Sequence, residues 1–284
     1  MISLIVATYN RVEELERLLA SLDAQAYRDF EVIVVDQNPD DRLIPVLQRH
    51  SRLTIRHVRS EIGVSRARNA GLRLFEGELV AFPDDDCWYS NDLLEQVVRW
   101  FEQHPDYDGV LAGMRDLDGN LIGPKLQPGR GARGKLTILW CALGWNFFLR
   151  KSAAERIGSF REDIGPGTSS LYQSGEDLDY VVRAVEHGLR MWYEPSLGIR
   201  HPSKERSLEQ DFSYNRGVGY IWRLHDYPLW WCLVEVVFRS LGGSAFYLCM
   251  GNHKRARNYL LRAKAQWWGY YVDRKRAGSP ILES

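Results

Sequence analysis

Cysteine is scarce and scattered: Cys87, Cys141, Cys232 and Cys249 form no Cys-x-x-Cys pair. That spacing argues against a zinc site or a disulfide framework and suits a reducing cytosol. An excess of either charge is also lacking, since 37 basic residues balance 37 acidic ones, and no net field favours nucleic acid. There is no internal repeat, no low-complexity tract and no Gly-Lys-Ser/Thr phosphate loop. Met1-Ile2-Ser3-Leu4 opens without a basic region, and its apolar run breaks at Thr8-Tyr9-Asn10, so a secretory signal is not expected. The one long apolar run, Leu229 to Met250, carries Glu235 and Arg239 near its middle. Two central charges are costly in a lone spanning helix, so the catalytic part is expected to be soluble.

What is present is an ordinary globular composition. Of 284 residues, 45% are hydrophobic and 26% charged, enough for one large α/β domain with an appendage or for two domains. Short apolar, β-branched runs at Ser3–Ala7, Glu31–Val35, Thr54–Val58 and Leu79–Phe82 predict buried parallel strands. Helical patterns lie between them: Leu15, Leu18, Leu19 and Leu22, then Ile44 to Leu47, then Val64 to Phe75. This alternation predicts βαβ units in a doubly wound, mostly parallel sheet flanked by helices.

Further on, the spacing predicts a helix over Leu93–Gln103, a strand near Gly109–Met114 and a hairpin turn at Asp118-Gly119-Asn120. Gly123 to Gly134 reads as a surface loop, Trp145–Leu149 as a strand and Lys151–Ile157 as a short helix. Glu176 to His187 reads as a helix ended by Gly188, and Arg190–Tyr193 as a strand closed by Pro195. Two helices, Leu229–Met250 and Asn252–Tyr271, complete the chain.

The chemistry-bearing residues cluster at strand ends. Asp84-Asp85-Asp86 directly follow the strand Leu79–Pro83, where parallel sheets form their ligand crevice. Two like charges about 4 Å apart cost about 4 kcal/mol at an effective dielectric near 20. A divalent cation removes that penalty, and carboxylate oxygens suit Mg²⁺ or Mn²⁺. The plainer alternative is a solvated acidic loop with Asp86 as a helix cap. Asp36 and Thr8-Tyr9-Asn10 end neighbouring strands and suit a nucleoside as well as they suit capping.

Gly63-Val64-Ser65-Arg66-Ala67-Arg68-Asn69-Ala70-Gly71 opens a helix with backbone donors and two arginines, apt for a diphosphate. Exposed helix arginines are more often merely solvated. Gly175-Glu176-Asp177-Leu178-Asp179 places carboxylates in a first helical turn, where the dipole alone would favour them. A base for an acceptor hydroxyl is the functional reading. His201 follows a strand-turn unit and is a reasonable ligand, although a lone His is more often structural.

Read in order, these pieces resemble glycosyltransferase family 2. The resemblance is carried by Val6-Ala7-Thr8-Tyr9-Asn10-Arg11, Val34-Val35-Asp36, Gly63 through Gly71, Phe82-Pro83-Asp84-Asp85-Asp86, Gly158-Ser159-Phe160-Arg161-Glu162, Gly175-Glu176-Asp177 and His201-Pro202. It covers roughly the first two hundred residues. It implies an inverting GT-A catalytic domain over 1–203, with a nucleotide-sugar half to about 114 and an acceptor half after it. Residues 204–284 would be a helical extension.

The resemblance further implies that Thr8, Tyr9 and Asp36 line the nucleoside pocket, with Arg68 beside the base or diphosphate. Asp84 and Asp86 match the outer positions of a DxD motif, Asp86 being the expected metal ligand, with Asp85 in the donor site. His201 would complete the Mn²⁺ or Mg²⁺ site. Asp177 matches the catalytic base, and Glu176 would orient the acceptor. UDP-sugars are the expected donors, then dTDP-rhamnose, and a glycan or lipid-linked hydroxyl the acceptor. Two departures stand out: Asp36-Gln37-Asn38-Pro39-Asp40 replaces the family's Asp-Asp or Asp-Gly-Ser run, and Arg161 replaces an acid in Gly-x-Phe-Asp-Glu.

The C-terminal segment is basic and aromatic. Between His253 and Arg276 eight Lys/Arg stand against Asp273, among Trp267, Trp268, Tyr270 and Tyr271. Peripheral contact of 228–276 with the cytoplasmic face of an anionic membrane, or packing on the catalytic domain or a second subunit, both fit. Rival functions are a sugar nucleotidyltransferase, which would carry a Gly-rich basic loop where Thr8-Tyr9-Asn10-Arg11-Val12-Glu13 stands, and a silent sugar-binding scaffold. A processive synthase would need several spanning helices, which are not read in the sequence.

Overall fold

The computed structural model describes residues 1–116, 118–120, 129–202 and 207–272. The chain divides into two compact units: Met1–Glu162 with Tyr180–Ser203, and Asp163–Asp179 with Lys204–Ser284. Asp163–Asp179 groups with the C-terminal helices rather than with the sheet.

Among the described residues, the first unit is built on a nine-stranded mixed sheet. β1 (Ile2–Thr8), β2 (Phe30–Asp36), β3 (Thr54–Arg59) and β4 (Leu79–Ala81) are parallel, in spatial order β3-β2-β1-β4. Register sets Thr8 opposite Asp36, so both end at one sheet edge. The helices α1 (Val12–Asp23), α2 (Ile44–Arg49) and α3 (Val64–Leu72) connect them, as the alternation predicts. α1 buries Leu15, Leu18, Leu19 and Leu22 completely, in one core with Ile2, Leu4, Val6, Phe30, Val32 and Val34. Full burial of each leucine contributes about 1.5–3 kcal/mol.

Beyond β4 the sheet changes direction. β5 (Trp88–Tyr89), α4 (Leu93–Gln103), β6 (Gly109–Arg115), β7 (Gly131–Arg133), α5 (Lys135–Ile138), β8 (Phe147–Arg150), α6 (Lys151–Ile157), α7 (Glu176–Glu186) and β9 (Met191–Arg200) follow. β8 lies antiparallel between β4 and β6, while β9 runs parallel to β6 and antiparallel to β5 and β7. The sequence misses β5 and β7, which are too short for a periodic signal. Gly131–Arg133, expected within a loop, is a strand on β9, and 121–128 lie outside the described residues. The turn at Asp118-Gly119-Asn120 forms, closed by Asp116 N–H donating to Asn120 O at 2.8 Å.

Pro195 does not end its strand. β9 continues to Arg200 because the register slips between Ala112 and Gly113, where Glu194 is followed across the ladder by Gly198. Such a bulge removes the need for a proline N–H. Gly113 faces it, with no room for a Cβ beside the Pro195 carbonyl.

The second unit is helical. α8 (Leu208–Leu224) starts in a capping box between Ser207 and Gln210. A helix over Leu229–Cys249 contains a π-helical stretch at Glu235–Leu241, and α9, the helix His253–Trp267, follows. Asp163–Asp179 joins this unit through its own partners: Ser174 Oγ donates to Tyr214 O at 2.8 Å, and Tyr172 stacks on Tyr220 at 3.9 Å. Gly217 packs on Ser174 with no space for a side chain.

Candidate active site

Three parallel strand ends deliver the first elements. Asn10, just past β1, adopts φ +56°, a left-handed conformation that Asn tolerates better than most residues. Its N–H donates to Asn38 Oδ1 at 2.8 Å. Tyr9 is exposed, while Thr8 and Asp36 are buried. Asp36 is fully engaged: Oδ1 accepts the N–H and Nδ2 of Asn38, both at 2.8 Å. Oδ2 stands 3.0 Å from His57 Nε2 and 3.3 Å from Arg59 Nη1.

The departure at Gln37-Asn38 thus has a local reason. Gln37 Oε1 accepts the N–H of Gly63 at 2.7 Å and ties the start of α3 to the end of β2. Gly63 itself holds φ +137°. Gln37, Asn38, His57 and Arg59 are residues for which the sequence offers no signal, because their partners lie on adjacent strands.

The aspartate triplet follows β4. Asp84 is partly exposed, whereas Asp85 and Asp86 are buried. His201, directly after β9, brings Nε2 to 3.0 Å from Asp86 Oδ1 and 3.9 Å from Asp84 Oδ2. Its ring stacks on Trp145 at 4.8 Å and 9°. Arg11 Nη1 reaches Asp85 Oδ1 at 2.6 Å and Asp86 Oδ2 at 3.0 Å. Arg68, buried, donates from Nη2 to Asp84 Oδ1 at 3.2 Å and lies 5.3 Å above the Phe160 ring. The partners of Arg11 lie 74 and 75 positions along the chain, so no local pattern signals its role.

Burial and neighbouring charge both act on the titrating groups of the cluster. Burial pushes the Asp85 carboxyl up to about 6, against the opposing charge of Arg11. Burial also disfavours protonation of His201, yet Asp86 and then Asp84 outweigh it and raise the imidazole above its ordinary value. Asp84, Asp86 and His201 offer two carboxylates and an imidazole, a donor set that fits Mn²⁺ or Mg²⁺. Cys87 Sγ also lies near Asp86 and His201, and burial raises its thiol well above the usual range.

A further clamp joins two motifs. Asn69, on α3, binds both the backbone of Phe160 and Glu162 Oε1, the latter at 2.8 Å. Phe160 stacks on Tyr180 at 3.9 Å and meets Phe82 edge-on at 5.0 Å. Glu176 and Asp177 occupy the first turn of α7, both buried, in the second unit. Glu176 lies against Gly165, whose φ is +99° and whose Cβ position has no space.

Residues 3–158 match the family described as Glycosyl transferase family 2. The chain is 34% identical over 230 residues to an uncharacterized glycosyltransferase of Haemophilus influenzae, spanning 78% of this chain and 76% of that protein. It is 35% identical over 200 residues to the amylovoran biosynthesis glycosyltransferase AmsB of Erwinia amylovora, spanning 66% of this chain and 65% of that protein. Among solved structures, Staphylococcus aureus TarS 1–349 in complex with UDP-GlcNAc superposes with TM-score 0.63 at 18% identity, covering 95% of this chain and 92% of that one. A mannosyltransferase, PcManGT from Pyrobaculum calidifontis, in complex with GDP-Man and Mn²⁺, gives TM-score 0.62 at 18% identity, covering 94% and 87%. The fold is GT-A, as the mixed sheet and its neighbours agree.

Proposed function

Because the chain belongs to glycosyl transferase family 2 and is a transferase, we propose that it moves a sugar from a nucleoside-diphosphate donor to an acceptor hydroxyl with inversion. The observation that carries this reading is the convergence of Asp84, Asp86, His201, Arg11 and Arg68 after β4. A pocket in which carboxylates and guanidinium groups converge suits a metal-bound diphosphate. A UDP-sugar is the first candidate donor, in keeping with the UDP-GlcNAc complex of TarS, and a dTDP-sugar such as dTDP-rhamnose the second.

Asp84, Asp86 and His201 would hold the divalent cation, which when bound neutralises charge growing on the leaving diphosphate. Arg68, held by Asp84 and by the Phe160 ring, would add a fixed cation there. Thr8 and Tyr9 would line the nucleoside. Asp36 would act through the groups it orients, His57, Arg59 and Asn38, because its own oxygens are taken.

Asp177 is assigned the base by its place in Gly175-Glu176-Asp177. It takes the proton of the acceptor hydroxyl, whose oxygen forms the new bond to the anomeric carbon. The bond from that carbon to the diphosphate oxygen breaks, and the nucleoside diphosphate leaves on the opposite face. Glu176 would orient the acceptor, a glycan or a lipid-linked hydroxyl at the cytoplasmic face of a membrane.

The test is a nucleotide-sugar panel with Mn²⁺, Mg²⁺ or chelator, read by thermal shift and nucleotide release. A donor at 100 times its dissociation constant stabilises the fold by about 2.7 kcal/mol. One donor should raise the melt only with metal, and Asp86→Ala should abolish the rise. If no nucleotide sugar binds under any metal condition, the donor assignment is wrong.

A further inference from the structure

The helix Leu229–Cys249 keeps a broad apolar face outward, while its inward side mixes Trp231, Cys232 and Val236 with its polar residues. Its outward side chains are Trp230, Leu233, Val237, Phe238, Leu241 and Phe246, with Phe238 72% and Trp230 60% exposed. Its polar residues face inward: Glu235 is 4% exposed, and Ser240 and Ser244 are buried. Each is satisfied within the second unit. Arg239 pairs with Glu235 at 3.4 Å, Ser240 Oγ donates to Gln266 Oε1 at 3.2 Å, and Ser244 Oγ donates to Ala256 O at 3.0 Å. A surface helix in water normally shows the reverse polarity, because exposed apolar area on this scale has a free-energy cost.

Charge indicates what covers the face. From Leu229 to Val272 the only acid is the buried Glu235. Lys254, Arg255 and Arg257 stand exposed on the first turns of α9, just past the apolar stripe. Hydrocarbon below anionic head groups matches both features together. Although the helix is long and apolar enough to cross a bilayer, the hydrogen bonds of Ser240 and Ser244 lay it along α9, which carries Lys254, Arg255, Arg257, Arg262 and Lys264. Those cations would have to enter hydrocarbon with a spanning helix. An in-plane helix immerses only its outer face.

We propose that the outer face of 229–250 is a docking surface for an anionic lipid bilayer, lying in the interface plane with Lys254, Arg255 and Arg257 at the head groups. This stands apart from the transfer reaction, and donor binding measured without vesicles separates the failure of one from that of the other.

The full chain is mixed with phosphatidylcholine vesicles, with and without phosphatidylglycerol, and flotation is measured. Cys249 is exposed while Cys87, Cys141 and Cys232 are buried, so a polarity-sensitive thiol dye reports on this helix alone. The expected result is flotation with anionic vesicles and a blue shift of the dye. Phe238→Glu should weaken binding by roughly tenfold or more. The triple change Lys254→Glu, Arg255→Glu, Arg257→Glu should remove the preference for anionic lipid. Trp230→Gln serves the same arm if Phe238→Glu does not keep the wild-type melt. The proposal is overturned if the wild type ignores both vesicles, or if these face variants bind as the wild type does. It is equally overturned if light scattering shows a dimer that Phe238→Glu dissociates while vesicles are not bound, since a second copy would then cover the face.

Discussion

Asn69 and Phe160 hold each other through both ends of one carboxamide: Nδ2 donates to Phe160 O at 3.0 Å, and Phe160 N–H donates to Oδ1 at 2.7 Å. Ninety-one residues separate them. The bond pair fixes the loop that carries the Phe160 ring, over which Arg68 is seated. Asn69→Ala leaves a buried N–H and a buried C=O unpaired, each costing about 1–3 kcal/mol. Urea unfolding should show a loss of about 2–4 kcal/mol, and an unchanged midpoint would refute the clamp.

Arg11 is the resident cation of the aspartate cluster, shared between Asp85 and Asp86. It would compete with a divalent ion for Asp86 at the proposed metal site. Arg11→Ala should therefore lower the melting temperature in chelator and tighten Mn²⁺ binding several-fold by titration calorimetry. Weaker binding would mean that Arg11 supports the metal site instead.

In chelator the same cluster should make stability depend on pH. Asp85 titrates near 6 when folded, above the usual carboxylate value near 3.9, so the native state binds the extra proton between those limits. Stability then falls as pH rises from about 4 to about 6, by up to about 3 kcal/mol. His201, raised in the fold, contributes stability present below its unfolded value, and that contribution is lost as pH rises through the folded one. Asp85→Asn should be less pH-sensitive than the wild type across this window and more stable above it. Parallel melting curves for the two proteins would exclude the shift.

Asp177→Asn keeps shape and removes the proposed base. Transfer should drop by about 10²–10⁴-fold while metal-dependent donor binding stays within roughly twofold. Near-normal transfer by a folded variant would place the base elsewhere.

Gly71 packs its α-carbon against Ile5, and an added methyl would overlap the Ile5 side chain. Gly71→Ala should cost about 1–3 kcal/mol by denaturant unfolding, because Ile5 is fully buried and has nowhere to move. A gain in stability, as expected for a merely helix-favouring change, would contradict this packing.

The first four strands and the helices between them were legible because each carries its own period and its own stops. The Leu15, Leu18, Leu19 and Leu22 face is written within one helix, and Gly188 ends another at φ +75°. The motif residues were legible as types at spacings: three aspartates after a strand, Arg68 in a Gly-led helix, a Glu-Asp pair opening another. Their roles came from resemblance, not from periodicity.

What the sequence alone determined is thus the βα alternation, the family and the places where chemistry-bearing residues stand on their elements. The tertiary structure decided how they meet. It set β8 antiparallel between β4 and β6 and let β9 run past Pro195 through a bulge. It grouped Asp163–Asp179 with the helices, put Arg11 on Asp85 from 74 positions away, and turned the Leu229–Cys249 helix apolar side out. The physical reason is common to all of these. Hydrogen-bond pairing, charge neutralisation and the choice of which face is buried are satisfied by partners distant in the chain, and no local window contains both members of the pair.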